Sequence, residues 1–300
     1  MNDERLLRRA RTVLADAGLR GSVLVRDLRS GAELAIEPDL EFPSASLVKV
    51  PLALVTFDRI RRGELDGGEP VTVPPGHTDV PHPAGLAKFR HPATISVEDL
   101  VYLSTSVSDS TAADALFDCT PPAEVTAALH RLGIDGITVR HPMRELVETP
   151  QERFDAADGH LAHSLAIGAG TAGRGHRVAQ LDVTRANSGS AWAFVNLLQA
   201  LWTPSTIDPQ VAVRVRALMA ASVHRQRLAP DFSSDASRWS SKTGTLLNLR
   251  HEIGVVEHSD GKAYAVAVLT ESRVAAVIQP GAEAAMAQAA RMLRDELRTG

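Results

Sequence analysis

Phe42-Pro43-Ser44-Ala45-Ser46-Leu47-Val48-Lys49-Val50 is the stretch that decides the fold, because a turn here leads into a long apolar run. The pattern predicts a helix that begins close to Ser46. A helix start directs unpaired N–H groups and a partial positive charge toward Ser46, which favours ionisation of its hydroxyl. Lys49 lies one turn later on the same face, where its amine could accept the serine proton. Alone, this spacing is weak, since a helix cap followed by a surface lysine gives the same pattern.

The two ends of the chain carry mirrored patterns. The helical stretches are 3–18 and 282–297, and the β-like runs are 21–28, 33–37, 252–257 and 263–270. The last two runs flank a turn that contains Asp-Gly, which is typical of a hairpin. We therefore expect an α/β fold of the α+β type, with an antiparallel sheet built from both chain ends and flanked by the terminal helices.

The middle of the chain has a helical pattern. Pro- and Gly-rich connectors separate a series of helix-compatible segments. These segments are 46–62, 97–106, 111–118, 122–132, 190–202 and 208–222. We predict a discontinuous α/β domain at 1–42 and 204–300, an inserted all-α domain at 43–203, and an active site at their interface. The Gly-, Ala- and His-rich stretch 158–177 predicts a long surface loop.

Two further short motifs carry hydroxyl and amine groups. In Ser108-Asp109-Ser110, a loop between predicted helices can aim the first hydroxyl into a cleft, although Asp109 or Ser110 could simply cap the second helix. In Ser241-Lys242-Thr243-Gly244-Thr245, a strand would place Lys242 and Gly244 on one face. Glycine also allows a ligand to approach the backbone closely. Lys242 is the obvious second cation that would help Lys49 to lose its charge.

The three motifs, in this order and context, resemble those of the serine penicillin-recognising enzymes, above all the class A β-lactamases and related actinobacterial serine hydrolases. The resemblance covers most of the chain and implies a β-lactamase-like fold. It also implies three catalytic roles: Ser46 is the nucleophile that accepts the acyl group, Lys49 shuttles its proton, and Ser108 relays a proton to the leaving nitrogen.

The same resemblance implies how the substrate is held. Lys242 and Thr243 would bind the substrate carboxylate, and the backbone N–H groups of Ser46 and Thr245 would form an oxyanion hole. Gly244 completes the strand motif beside them. Ser110 stands where the family usually has asparagine, so its contact with the substrate side chain, and the substrate preference, are expected to differ.

A glutamate on a loop after the second motif activates the hydrolytic water in class A enzymes, with an asparagine four residues later. Here Glu145 lies at about the right distance along the chain, but position 149 is threonine. Glu145 is therefore the candidate base for deacylation and Glu148 the reserve, while both could equally be solvated loop carboxylates. Without a placed base, an acyl-enzyme persists or passes its acyl group to another acceptor.

Composition and charge limit the partners. With 32 basic and 36 acidic residues and a net charge of −4, no block of like charge favours nucleic acid or a membrane surface. The histidines lack metal-ligand spacing, so no metal and no cofactor is expected. Arg250 is a candidate second cation for a substrate carboxylate, or a surface strand arginine. We expect a monomer that acts on a small-molecule amide or ester, a β-lactam above all.

Three functions remain open at this point. The first is a class A-like serine β-lactamase that opens the lactam through Ser46 and hydrolyses the acyl-enzyme. The second is an intracellular esterase, amidase or acyltransferase of secondary metabolism on the same scaffold. The third is a penicillin-binding protein that is acylated without efficient turnover. The N-terminal residues show no signal peptide, which predicts a cytoplasmic protein, or a secreted one if a leader was removed.

Overall fold

The structure is a computed structural model and describes residues 2–75, 85–147, 159–169, 174–275 and 278–299. The strands in these ranges are β1 (Leu19–Asp27), β2 (Glu33–Ile36), β3 (Glu41–Pro43), β4 (Pro70–Val73), β5 (Ala93–Ser96), β6 (Ile137–Thr138), β7 (Ser188–Ser190), β8 (Ser237–Leu246), β9 (Leu249–His258) and β10 (Ala263–Ser272). The helices are α1 (Asn2–Asp16), α2 (Lys49–Arg61), α3 (Val97–Ser106), α4 (Ser110–Cys119), α5 (Pro122–Arg131), α6 (Arg144–Val147), α7 (Gly159–Ala169), α8 (Ala191–Trp202), α9 (Pro209–Ala220), α10 (Ala229–Phe232) and α11 (Pro280–Thr299).

The main sheet is antiparallel and has the strand order β2-β1-β10-β9-β8. The two chain ends meet in it, since Leu24 of β1 pairs with Ala267 of β10. Both faces of the sheet are buried, and alternate residues of β1 serve different faces: Val23 and Val25 belong to one hydrophobic cluster and Leu24 to the other. The α/β fold expected from the sequence, with an antiparallel sheet from both ends, is confirmed.

The terminal helices cover one face of this sheet. Ala10 and Leu14 of α1, together with Ala289 and Leu293 of α11, are buried in one cluster with Val23. Four-residue spacing places each pair on one side of its helix, which explains the amphipathic patterns at both chain ends. The predicted terminal helices are therefore confirmed.

The opposite face carries the helices that build the site. Residues 49–57 of α2 are all buried, because α2 lies among α3, α4, α5 and α9. A helix surrounded in this way is apolar on every side, so the Lys49 amine is carried into the interior. Leu24 and Ile253 of the sheet share one hydrophobic cluster with Leu52 of α2. Helices and sheet thus have a common core, and the predicted domain boundaries stay a prediction.

Two parts of the chain differ from expectation. The predicted loop at 158–177 is wrong for residues 159–169, which form α7; Ala162 and Ala166 lie one turn apart and are both buried in the core. The short strands β3, β6 and β7 form a second sheet, and β4 pairs with β5. These strands have two to four residues, too few for a periodic pattern to identify. No helix in the described ranges has the length and apolar character needed to cross a membrane.

Candidate active site

Ser46 lies in a single 3₁₀ turn, Ala45–Val48, that leads directly into α2. Strand β3 ends two residues before it, and the backbone enters the turn through Ala45 with φ = 47°. A non-glycine residue in this left-handed region stores strain, which the buried surroundings must maintain. Ser46 itself is half-buried, and within the described residues its hydroxyl makes no hydrogen bond. The hydroxyl is therefore free to meet a substrate.

Lys49 follows one turn later and is completely buried. Its Nζ donates to the backbone oxygen of Ser108 (2.6 Å) and to Ser110 Oγ (3.1 Å), and lies 3.4 Å from Ser108 Oγ. Burial lowers the pKa of Lys49 to about 7, although the Asp109 and Asp114 carboxylates act to raise it. A large part of Lys49 is therefore an uncharged amine at neutral pH, which can accept a proton.

Ser108 is the point at which the two motif lysines converge. Its backbone has φ = 66°, so it too is held in the left-handed region. Lys242 Nζ donates to Ser108 Oγ at 2.8 Å, and Lys49 approaches the same hydroxyl. Burial, together with the positive charges of Lys49 and Arg227, holds the pKa of Lys242 well below its usual range. One hydroxyl between two amines is an arrangement that can pass a proton.

Asp109 fixes the loop that presents Ser108. Its Oδ1 accepts from the backbone N–H groups of Thr111 (2.9 Å) and Ala112 (3.0 Å), so it caps α4. Its Oδ2 accepts from the backbone N–H of Leu86 at 2.7 Å. A Cβ at Gly85 would collide with this carboxylate, and Gly85 has φ = 72°. The capping role considered from the sequence thus belongs to Asp109, and it leaves the neighbouring serine hydroxyls available.

The third motif lies on β8, the edge strand of the main sheet, beside the turn that carries Ser46. Lys242 and Gly244 point toward the helices, as their alternation predicts, while Thr243 is buried and Thr245 exposed. A Cβ at Gly244 would lie 2.9 Å from the Ser44 oxygen. Only glycine therefore lets β8 come this close to the turn Ala45–Val48, which we call the nucleophile turn.

Arg227 is a residue of this region that the sequence interpretation missed. It is buried and donates to the backbone oxygens of Gly244 (2.9 Å) and His251 (2.7 Å), to Thr245 Oγ1 (2.7 Å), and to Glu283 Oε1 (2.9 Å). It places a positive charge at the end of β8, next to the motif threonines. It lies between α9 and α10 with no motif around it, so only long-range contacts identify it.

His251 was also missed. Its Nε2–H donates to the Pro43 oxygen at 3.0 Å, and its Nδ1 accepts from the Thr270 N–H at 3.1 Å. Burial lowers the pKa of His251 to about 3, so the ring is neutral. His251 therefore links β9 and β10 to Pro43, the last residue of β3 before the nucleophile turn.

Arg250 and Glu145 are the two other site residues predicted from the sequence. Arg250 is buried and donates to the backbone oxygens of Leu247 (2.7 Å) and Leu249 (2.8 Å); burial and the nearby Arg227 lower its pKa to about 10. Glu145 is exposed on α6, and its backbone oxygen accepts from Gln180. A role for either in the reaction stays a prediction, and Glu148 lies outside the described residues. Within the described ranges no group of three or more His, Cys, Asp or Glu side chains could hold a metal.

Comparison with known families gives the assignment. The model of a family described as "Beta-lactamase enzyme family" matches residues 5–297. The chain belongs to that family. The resemblance inferred from the three motifs is thus confirmed, and with it a serine-hydrolase family fold.

Relatives of this beta-lactamase-family chain carry different names. It is 62% identical, over 99% of both chains, to the "Beta-lactamase regulatory protein BlaB" of Streptomyces cacaoi. Its fold matches that of a β-lactamase from Chitinophaga pinensis, with a TM-score of 0.77, 19% identity, and coverage of 98% and 99%. It also matches a structure named PBP-A, with a TM-score of 0.76, 18% identity, and coverage of 99% and 97%. The two structures show the fold. The word "regulatory" describes the Streptomyces cacaoi relative.

Proposed function

We propose that this protein opens β-lactams by forming an acyl-enzyme at Ser46. The observation that carries the proposal is the convergence of two buried lysines on Ser108 beside the turn that holds Ser46. Membership of the beta-lactamase enzyme family supports a β-lactam as the substrate.

Acylation begins when the uncharged Lys49 amine takes the Ser46 proton and Oγ attacks the lactam carbonyl carbon. The backbone N–H groups of Ser46 and Thr245 stabilise the oxyanion, since both stand at the junction of the nucleophile turn and β8. The lactam C–N bond then breaks, and Ser108 supplies a proton to the nitrogen, which it regains from the adjacent lysines. Lys242 and Thr243, with the charge of Arg227 nearby, attract the substrate carboxylate.

Hydrolysis of the acyl-enzyme is the finer part of the proposal. The candidate base is Glu145, which would have to hold a water against the ester carbonyl. Its exposed position on α6 leaves it accessible to solvent. If Glu145 acts in this way, the protein is a serine β-lactamase; if no group does, the acyl-enzyme persists.

A second candidate is a β-lactam sensor in which a long-lived acyl-enzyme is the signal. The observation that favours it is the name of the Streptomyces cacaoi relative, a β-lactamase regulatory protein, at 62% identity. The two candidates share acylation and differ only in the lifetime of the adduct.

The test is a time course of the intact mass after mixing with benzylpenicillin, with Ser46→Ala as the control. We expect the wild type to gain the mass of one penicillin and the variant to gain none. An adduct that disappears within seconds, with many turnovers of a chromogenic cephalosporin, supports the β-lactamase; an adduct that lasts for hours supports the sensor. A wild type that gains no mass on Ser46 and also does not turn over the cephalosporin would refute acylation.

A further inference from the structure

Asp114 is a mostly buried carboxylate that faces the site from α4. It lies four residues after Ser110, whose Oγ accepts from Lys49, so the two side chains share one face of the helix. On its other side, Asp114 Oδ1 accepts from the Arg144 backbone N–H at 3.1 Å, and the Met143 N–H donates to the same carboxylate. Asp114 therefore stands between the Lys49 amine and the segment that carries Glu145.

Few charged groups surround Lys49 and Asp114. The Asp109 and Asp114 carboxylates raise the pKa of Lys49, and the basic groups near Lys49 are Lys242 and His224. Arg144 and Lys49 are the cations that act on Asp114. Asp109 raises the pKa of Lys49 more than Asp114 does, but three backbone N–H groups bind it as the cap of α4, so replacing it would also disturb the loop that presents Ser108. Asp114 lies within α4, so its charge can be removed while the cap stays in place.

We propose that Asp114 is a positioning residue for acylation: it docks the 143–147 segment on α4 and, together with Asp109, supplies negative charge that stabilises Lys49 when Lys49 takes the Ser46 proton. No proton passes to Asp114 in this step. The Ser46 O–H bond breaks, an N–H bond forms on Lys49, and the carboxylate offsets the new positive charge. The inference rests on the proposed acylation of Ser46.

Removing the charge should therefore have two opposite effects on acylation. Lys49 becomes a weaker base, so the maximal rate at high pH falls. Lys49 also loses its proton at lower pH, so a larger fraction is active in mild acid. Burial raises the pKa of Asp114 to about 6, so most of the carboxylate is charged at pH 7, near the pKa of Lys49.

Asp114→Asn is the discriminating variant, because its amide oxygen can still accept from the Arg144 backbone N–H while the charge is gone. Asp118→Asn is the matched control: Asp118 lies one turn further along α4, is exposed, and pairs with the Arg144 side chain at 3.0 Å. Both substitutions remove one acid beside Arg144, and only the first removes one beside Lys49.

The first measurement is independent of activity. The chain has only four lysines, so carbon-13 labels at lysine Cε give four NMR signals, which Lys88→Arg and Lys262→Arg help to assign. We expect the Lys49 midpoint to fall by about 0.5–1 pH unit in Asp114→Asn and to stay unchanged in Asp118→Asn. An unchanged Lys49 midpoint in folded Asp114→Asn would overturn the inference.

The second measurement is the pH profile of Ser46 acylation by benzylpenicillin. For Asp114→Asn we expect a rate about threefold lower above pH 8 and equal to or higher than wild type at pH 6, so that the two profiles cross. A loss by the same factor at every pH would indicate a purely structural role and refute the charge effect. If the wild type is not acylated at all, the proposed function fails, while the lysine titration still decides the role of Asp114.

Discussion

Replacing Gly244 by alanine tests whether the close approach of β8 to the nucleophile turn is what makes Ser46 reactive. The new Cβ would lie 2.9 Å from the Ser44 oxygen and 3.1 Å from Leu47 Cγ, where ordinary contact begins at 3.4 Å. The strand and the turn must therefore separate by about 0.5 Å. Overpacking of this kind costs roughly 1–3 kcal/mol of stability.

The same displacement would move the Thr245 N–H away from that of Ser46, so the oxyanion would lose part of its stabilisation. A misplacement of about 1 Å can cost on the order of 100-fold in rate. We expect Gly244→Ala to slow acylation about 10- to 100-fold. The assay is the rate of adduct formation by intact mass, with the melting temperature measured in parallel.

Gly21→Ala is the matched control, since Gly21 lies on β1 of the same sheet, with β10 and β9 between it and β8. Its Cβ would lie 2.3 Å from the Leu269 oxygen and 2.7 Å from Thr270 Cγ2, both on β10. We expect a loss of stability at least as large as that of Gly244→Ala, with acylation within about threefold of wild type. Wild-type acylation in Gly244→Ala, or equal kinetic losses in both variants, would refute the reasoning.

Three further predictions follow from other contacts. Lys49 has a pKa of about 7 and must be uncharged to accept the serine proton, so the acylation rate should rise with pH. We expect about 10% of the plateau rate at pH 6 and half of it at pH 7. A flat profile from pH 5 to 9 would contradict this. Gly85→Ala should lower stability by roughly 1–3 kcal/mol in denaturant unfolding, because it combines a left-handed backbone with a collision against Asp109, and an unchanged midpoint would contradict it. His251 has a pKa of about 3 in the folded protein and about 6.5 in the unfolded chain. Its contribution to the free energy of unfolding is therefore complete above pH 6.5 and falls by about 1.4 kcal/mol per pH unit below it. His251→Gln should flatten the pH dependence of stability between pH 6 and 4, and an unchanged slope would count against this.

The sequence predicted the elements whose residues repeat with a clear period. The resemblance of the three motifs placed Lys49, Ser108 and Lys242 in one site, and their side chains do lie together, while their catalytic roles stay a prediction. Helix α7 was missed, because glycine and histidine obscured the four-residue spacing of its buried alanines. Arg227 and His251 were missed for a different reason: each acts through contacts with residues far away along the chain, which no local pattern contains.

The pairing of Leu24 with Ala267 sets the order in which the molecule can be completed during synthesis. As the chain leaves the ribosome, β1 and β2 emerge first and must wait for β10, which is made almost last. Long-range pairings of this kind make folding slow and leave strand edges open meanwhile. Ser46 and Lys49 are translated early, but Lys242 reaches them only with the closing strands. A nascent or truncated chain would thus carry the nucleophile without the second amine that completes its surroundings.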